Sequence, residues 1–499
     1  MIPTLSSQAG IRRAAGVAVL ASMLVLAGCA AGPDFKPPAP PKVSGYLNHP
    51  LKPTAQTPHV AAGATQRFEA GADIPGDWWT LFHSQSLDAL VKAALKNNHD
   101  LKAAQAALRV AHEDVLAQRG SFFPALSAGL AASRQRDPAA ALAPVPSNNA
   151  YLYSLFTPQL SISYTPDLFG LNRRTRESLQ AQEQAARFQM IAAWTTLASN
   201  VVVTAVQEAS LRGQVAATHK LVALEKKSLD ILQLRFRKGA ASKLDVSAQQ
   251  AQLAQTQAGL PPLVKQLAAT RHALAVLIGA FPGHLSAHVF KLDNLHLPQD
   301  LPVSLPSKLV AQRPDVRQAR ANLHAASAAI GIAAAERLPQ IQLTADAGST
   351  ALAISKVFTS GTGFWGIAAS VAAPIFEGGQ LMHQERAAKA AYVEAAEQYR
   401  GTVLHAFQNV ADALTALQQD ADALQATATA ERAAETTLRL SQLKLHHGDI
   451  GTFELLAAEQ SYQQARIALV QAKADRFADT AALYQALGGG WWHHKNLNK

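Results

Sequence analysis

One pattern occurs twice along this chain, and that repetition limits the folds open to it more than any other feature. Each copy runs through a helix-period stretch, two short stretches of alternating apolar and polar residues separated by a loop, and then helical patterns far longer than a globular domain uses. Pro124 recurs as Pro339, Pro166 as Pro374 and Gly239 as Gly448, at offsets of 215, 208 and 209 residues, which differ by no more than loops usually do. The copies read as domains at 76–290 and 291–488, with a polar tail at 489–499. Residues 29–75 hold frequent Pro, Ala and Gly with no sustained period. Lys36-Pro37-Pro38-Ala39-Pro40-Pro41 within them favours extended polyproline II, so this segment reads as a tether.

The alternating stretches have the dyad pattern of a barrel wall with a wet interior. Ile341, Leu343, Ala345 and Ala347 face one way, Gln342, Thr344 and Asp346 the other. Leu160, Ile162 and Tyr164 stand against Ser161 and Ser163 in the same manner. Residues 365–372 supply a third strand and 126–133 a fourth, weaker one. Four strands cannot close a barrel, and an open edge in lipid leaves backbone groups unpaired at several kcal/mol each. Several chains must therefore contribute, and barrels of about 8, 12 or 16 strands remain open at this stage.

After each strand pair the helical pattern is predicted to form a hairpin: 173–211 and 215–259 in the first copy, 380–417 and 424–487 in the second. Arg212-Gly213 reads as the first turn, and Asp420 and Asp422 lie at or just past the second. Gly259-Leu260-Pro261-Pro262 is expected to break the helix that contains it, since an interior proline costs about 3 kcal/mol. Ala- and Gln-rich helices with small contact residues suit closely packed coiled-coil pairs.

The N-terminus fixes the compartment. Arg12-Arg13 precedes an apolar run over 14–27, the length of a secretory leader's core and too short to span a bilayer. The run ends in Leu26-Ala27-Gly28-Cys29, which reads as a lipoprotein signal peptide over 1–28 with Cys29 as the lipidated residue. Cys29 is the one cysteine of the chain, so intramolecular disulfides and cysteine-based metal sites are excluded. Beyond the leader no segment holds about 18 uninterrupted apolar residues, so any membrane crossing is expected in strands.

Composition excludes other classes. The balance of 45 Lys+Arg against 35 Asp+Glu is basic, but the charges are scattered rather than gathered into a stripe that could track phosphates, so no nucleic-acid partner is expected. Walker A, HExxH, GxSxG and dinucleotide-binding fingerprints are absent, and Ser441-Gln442-Leu443-Lys444 lacks the companions that the SxxK motif of penicillin-binding enzymes requires. No enzyme, cofactor or metal is expected: His446-His447 and His493-His494 have no partner in sequence to complete a metal site. A lipid-anchored periplasmic adaptor protein of an efflux pump is the competing reading, but it would carry one hairpin between other modules rather than two hairpins each preceded by strands.

At these residues the chain resembles the outer-membrane factor (TolC-like outer membrane efflux protein) family, in its NodT-type lipoprotein branch. The resemblance rests on LAGC, GPDFKPP (32–38), DWWTLF (77–82), SYTPDLFG (163–170), QRPDVRQAR (312–320), APIFEGG (373–379) and LYQALGGGWW (483–492), in that order over essentially the whole mature chain. It implies a mixed membrane α+β fold: a homotrimer whose four transmembrane β-strands per chain form a 12-stranded outer-membrane barrel. Coiled-coil helices would continue that barrel as a periplasmic α-barrel. The implied partners are a periplasmic adaptor, an inner-membrane pump and outer-membrane lipid, and the implied cargo is drugs and other small molecules. In the family, acidic rings near the helix tips narrow the pore. Phe407-Gln408-Asn409-Val410-Ala411-Asp412 is similar to that tip segment, which makes Asp412 the gate candidate and Arg212, Gly213 and Asp420 candidate adaptor contacts. The resemblance assigns 235–242 and 446–452 to an equatorial band.

Overall fold

The computed structural model describes residues 30–138, 151–284 and 291–498. In chain order it contains β1 (Arg67–Ala70), α1 (Gln85–Asn97), α2 (His99–Gly120), β2 (Ala125–Arg136), β3 (Leu152–Tyr164), α3 (Leu171–Arg237), α4 (Lys243–Leu277), β4 (Asp300–Val303), α5 (Pro306–Gln312), α6 (Pro314–Ala335), β5 (Gln340–Ser349), β6 (Gly363–Ala372), α7 (Gln380–His447) and α8 (Thr452–Ala486). Two compact units draw on both halves of the sequence. One takes the residues up to Pro37 with Arg109–Ala185 and Arg320–Gln398; the other takes Pro38–Leu108, Ala186–Ala319 and Tyr399–Lys499.

The first unit holds a four-stranded antiparallel sheet in the order β2-β3-β5-β6. Directly paired residues share a face, so the register carries Leu126, Ile162, Ala345 and Ile367 across all four strands as one apolar row. Ala128, Leu160, Ala347 and Trp365 form the next row. Ser127, Ser161, Asp346 and Gly366 lie between them on the opposite face. A one-residue slip would exchange the two faces, so alternation and register specify each other. The apolar rows are not covered: Trp365 is 78% exposed, Ile367 79% and Leu126 68%. Within the chain β2 and β6 are edges.

Residues 30–35 dock on this unit. Ala31 donates its N–H to Phe169 O at 2.8 Å, and Arg174, on the first turn of α3, donates to Ala31 O, Gly32 O and the Asp34 carboxylate. Phe35 stacks on His324 at 4.3 Å. Gly32 has φ +84°, and a Cβ there would fall 2.4 Å from Gly331 Cα, so only glycine fits this crossing. Cys29 itself lies outside the described residues.

The second unit is helical apart from a parallel pair that the sequence pattern does not reveal, β1 with β4, joining Arg67–Ala70 to Asp300–Val303. Trp78 and Trp79 are buried, Trp78 stacking on Tyr484 at 5.1 Å. The predicted first helix is two, α1 and α2, because Asn98 ends one and its Oδ1 accepts the Leu101 N–H of the next.

The predicted hairpin turns are displaced. No break occurs at Arg212-Gly213: α3 runs unbroken for 67 residues, about 100 Å at 1.5 Å per residue. Gly213 is accommodated inside it because α8 approaches there; a Cβ would meet Val470 Cγ1 at 3.1 Å. Arg212 pairs with Glu208 one turn earlier. Asp412, Asp420 and Asp422 likewise lie inside the 68-residue α7. The turns are the segments that the resemblance assigned to an equatorial band. Gly239 and Gly448 take φ +76° and +82°, with Ala240 N bonded to Arg235 O and Asp449 N to Lys444 O, the Schellman closure that ends a helix. Ser242 and Asp245 then form a capping box that starts α4. Pro261 and Pro262 sit inside α4 without ending it; both are exposed, so the carbonyls they leave unpaired face water. Among the described residues one helix, α3, carries an 18-residue window apolar enough to cross a membrane, at mean hydropathy 1.3, and 61% of that window is buried within the protein.

Candidate functional site

The turn ends of the two hairpins face each other within the second unit. Each closes over a small core of its own: Leu229, Leu232 and Val246 in the first, Leu438, Leu455 and Ala458 in the second. Arg235, in the last turn of α3, donates to Leu445 O at 3.0 Å and His446 O at 3.2 Å, fastening one hairpin to the carbonyl end of the other. Beside this link a cavity of about 220 Å³ lies between the hairpins, lined by Leu224, Ile231, Leu232, Leu445 and Leu455 and rimmed by Arg235 and His446. Leu234, Phe236, Leu440 and Leu443 add exposed apolar side chains at the same end.

Above the turns the helices enclose a polar core. Glu225 on α3 and Glu459 on α8 are fully buried, with buried Gln249 of α4 between them. Thr256 and Gln252 donate to Glu225 Oε1 at 2.9 and 3.3 Å; Ser228 and Gln249 donate to the two oxygens of Glu459 at 3.2 and 3.4 Å. All four donors are neutral. Burial pushes the Glu459 carboxyl up to about 7, helped by Glu225, and raises Glu225 as well.

Asp412 is exposed on α7, 35 residues before the turn, which removes it from the helix tip. Asp420 is half-buried against α8, where burial and the Asp479 carboxyl push it up to about 8. Beside it Arg476 is fully buried and donates to Leu417 O, Ala62 O, Ala64 O and Thr54 Oγ1, tying α8 to α7 and to the N-terminal segment. Asp420 is thus part of a wall rather than a tip, and Asp422 is simply exposed. The fold also gives the C-terminal histidines acidic neighbours, His493 beside Asp73 at 2.9 Å and His494 beside Asp77 at 3.6 Å. No group of three or more His, Cys, Asp or Glu side chains suited to a metal occurs among the described residues. The sequence signal for the hairpin turns is a pair of glycines, Gly239 and Gly448, each followed by a helix start, in the segments where the resemblance implies an equatorial band.

Strands that expose one apolar face, joined to helical hairpins of this length, define a membrane channel component. The chain belongs to the outer membrane efflux protein family, whose profile matches residues 90–280 and 305–489. The probable efflux pump outer membrane protein TtgC of Pseudomonas putida is 30% identical over 94% of both chains. Among solved structures, the outer-membrane channel OprN is similar at TM-score 0.81 with 25% identity, covering 93% of this chain and all of that one. The open-state outer membrane channel MtrE of Neisseria gonorrhoeae is similar at TM-score 0.77 with 27% identity, covering 93% of this chain and 99% of that one. This chain is the outer-membrane channel component of a tripartite efflux system; the adaptor reading is not favoured.

Proposed function

We propose that three copies close one twelve-stranded barrel and continue it with their helices as a periplasmic tube, through which an inner-membrane pump and its adaptor expel drugs and other small molecules. The observation that carries this reading is the four-stranded sheet, which exposes its apolar rows and leaves β2 and β6 as edges. Lipid covers the rows, and β6 of one copy meets β2 of the next, so that no edge stays open. Cys29 carries the lipid. Its neighbour Ala30 packs on Gly170, where β3 gives way to α3, which supports an anchor beside the sheet.

Conduction is controlled at the turn ends. The turns at Gly239 and Gly448, with Arg235 holding one hairpin to the other, form the gate, in place of Asp412. The cavity between the hairpins receives the adaptor, in place of Arg212, Gly213 and Asp420. Particle imaging of the detergent-purified protein tests the assembly: threefold particles with a closed barrel are expected, and monomers or another symmetry overturn it. Metabolic palmitate labelling of Cys29→Ser tests the anchor, since unchanged labelling would remove Cys29 from that role.

A further inference from the structure

Arg212 and Gly213 border a feature that channel activity does not use. On α3, Ala209, Arg212, Gly213, Ala216 and Lys220 fall on one helical face at spacings of three and four. That face, α8 and the segment 291–293 enclose a cleft of about 270 Å³ in the second unit. Glycine and alanines form its floor. Its charged rim consists of Arg212, Lys220, Lys291, Arg466 and Lys473, with Asp293 as the one acid.

Nearby carboxylates offset only part of this charge. Asp293 pairs with Lys473 at 3.0 Å; Glu431 pairs with Arg466 at 2.6 Å; Glu208 pairs with Arg212 and, at 2.8 Å, with Arg271. Lys220 and Lys291 have no ion-pair partner among the described residues. Arg212 feels the crowding, since burial and the charge of Arg271 both weaken its hold on its proton. A concave site with walls of low polarizability concentrates such a field on its contents. At about 30 Å³ per water, the cleft has room for roughly nine waters, or for one compact polyatomic ion.

We infer that this cleft is a binding site for a small anion bearing phosphate or carboxylate groups, with Lys220 and Lys291 supplying the uncommitted charges and Arg212 and Arg466 the fixed guanidinium rim. Such a ligand would join α3, α8 and the 291–293 segment, and occupancy would stiffen that junction. This use differs from conduction and does not depend on how many copies close the barrel.

The test is thermal unfolding of the purified full-length protein in inorganic phosphate, and separately in citrate, against sodium chloride at equal ionic strength. The expected result is a rise in melting temperature beyond the chloride control, with an apparent affinity at least roughly tenfold weaker in Lys220→Gln/Lys291→Gln. Lys92→Gln, an exposed lysine elsewhere, should keep the parent's response. The double variant should melt near the parent in chloride; if it does not, each single substitution is measured, and half the loss of affinity on the logarithmic scale is expected from each. Equal shifts in chloride and phosphate, or a full response in a folded double variant, would overturn the site. An effect confined to anionic vesicles, without one from soluble phosphate or citrate, would overturn it too.

Discussion

Thr256 donates its hydroxyl to Glu225 Oε1 at 2.9 Å, with both side chains shut away from water between α3 and α4. Across the same core stands Glu459, and the cluster holds two acids with only neutral donors. An uncompensated buried carboxylate is costly, so each acid favours its proton. The folded-state value of Glu459, about 7, lies above its ordinary 4.5. The folded protein therefore holds more protons than the unfolded chain between these values, and stability falls as pH rises from about 4.5 to about 7. Melting curves from pH 5 to 8 should show that decline, worth roughly 2–3 kcal/mol. Glu459→Gln should make the decline shallower, with the parts due to Asp420 and Glu225 remaining, and should melt higher than the parent at pH 8; an undiminished decline in the variant would contradict the assignment.

Arg476 is the least replaceable charge in the second unit. Its guanidinium, with no exposed surface, satisfies three backbone carbonyls and a hydroxyl. Arg476→Met keeps much of the volume but strands those acceptors, and should destabilise by roughly 2–5 kcal/mol. Denaturant titration in detergent would expose the opposite result, a variant as stable as the parent.

Gly32→Ala should undock the N-terminal segment, because the added methyl meets Gly331 backbone at 2.4 Å. Trypsin should then cut after Lys42 faster than in the parent, with the sheet unaffected by circular dichroism. Unchanged cleavage would mean that the crossing tolerates a side chain.

Arg235→Ala removes the link to Leu445 and His446 carbonyls. In planar bilayers its conductance should exceed the parent's, or its closed periods shorten. Matching traces would place the gate elsewhere.

The strands were legible in the sequence because the dyad pattern puts residues such as Leu126, Ile162, Ala345 and Ile367 on one face, while their pairing comes from the fold. The turns were not, because the cost of a residue in a helix depends on what it meets. Gly213 costs about 1 kcal/mol against alanine, yet it lets α8 approach, and tertiary packing outweighs the local preference. Pro261 and Pro262 pass because their face is wet. Gly239 and Gly448 look no different from Gly213 in isolation; what separates them is the capping that follows, Ser242 with Asp245 in one case and Gly451 before Thr452 in the other. The polar core was invisible, since Glu225, Gln249 and Glu459 come from three helices and each alone resembles a solvated residue.

The open edges β2 and β6 also have a genetic consequence. In a ring closed by three chains, as proposed for this protein, one broken edge opens the whole. In a cell making intact and damaged copies in equal amounts, roughly one ring in eight would contain intact chains alone. A proline that breaks pairing in β6 should therefore act as a dominant allele, silencing export even beside a healthy gene, whereas a damaged Cys29 should behave as recessive.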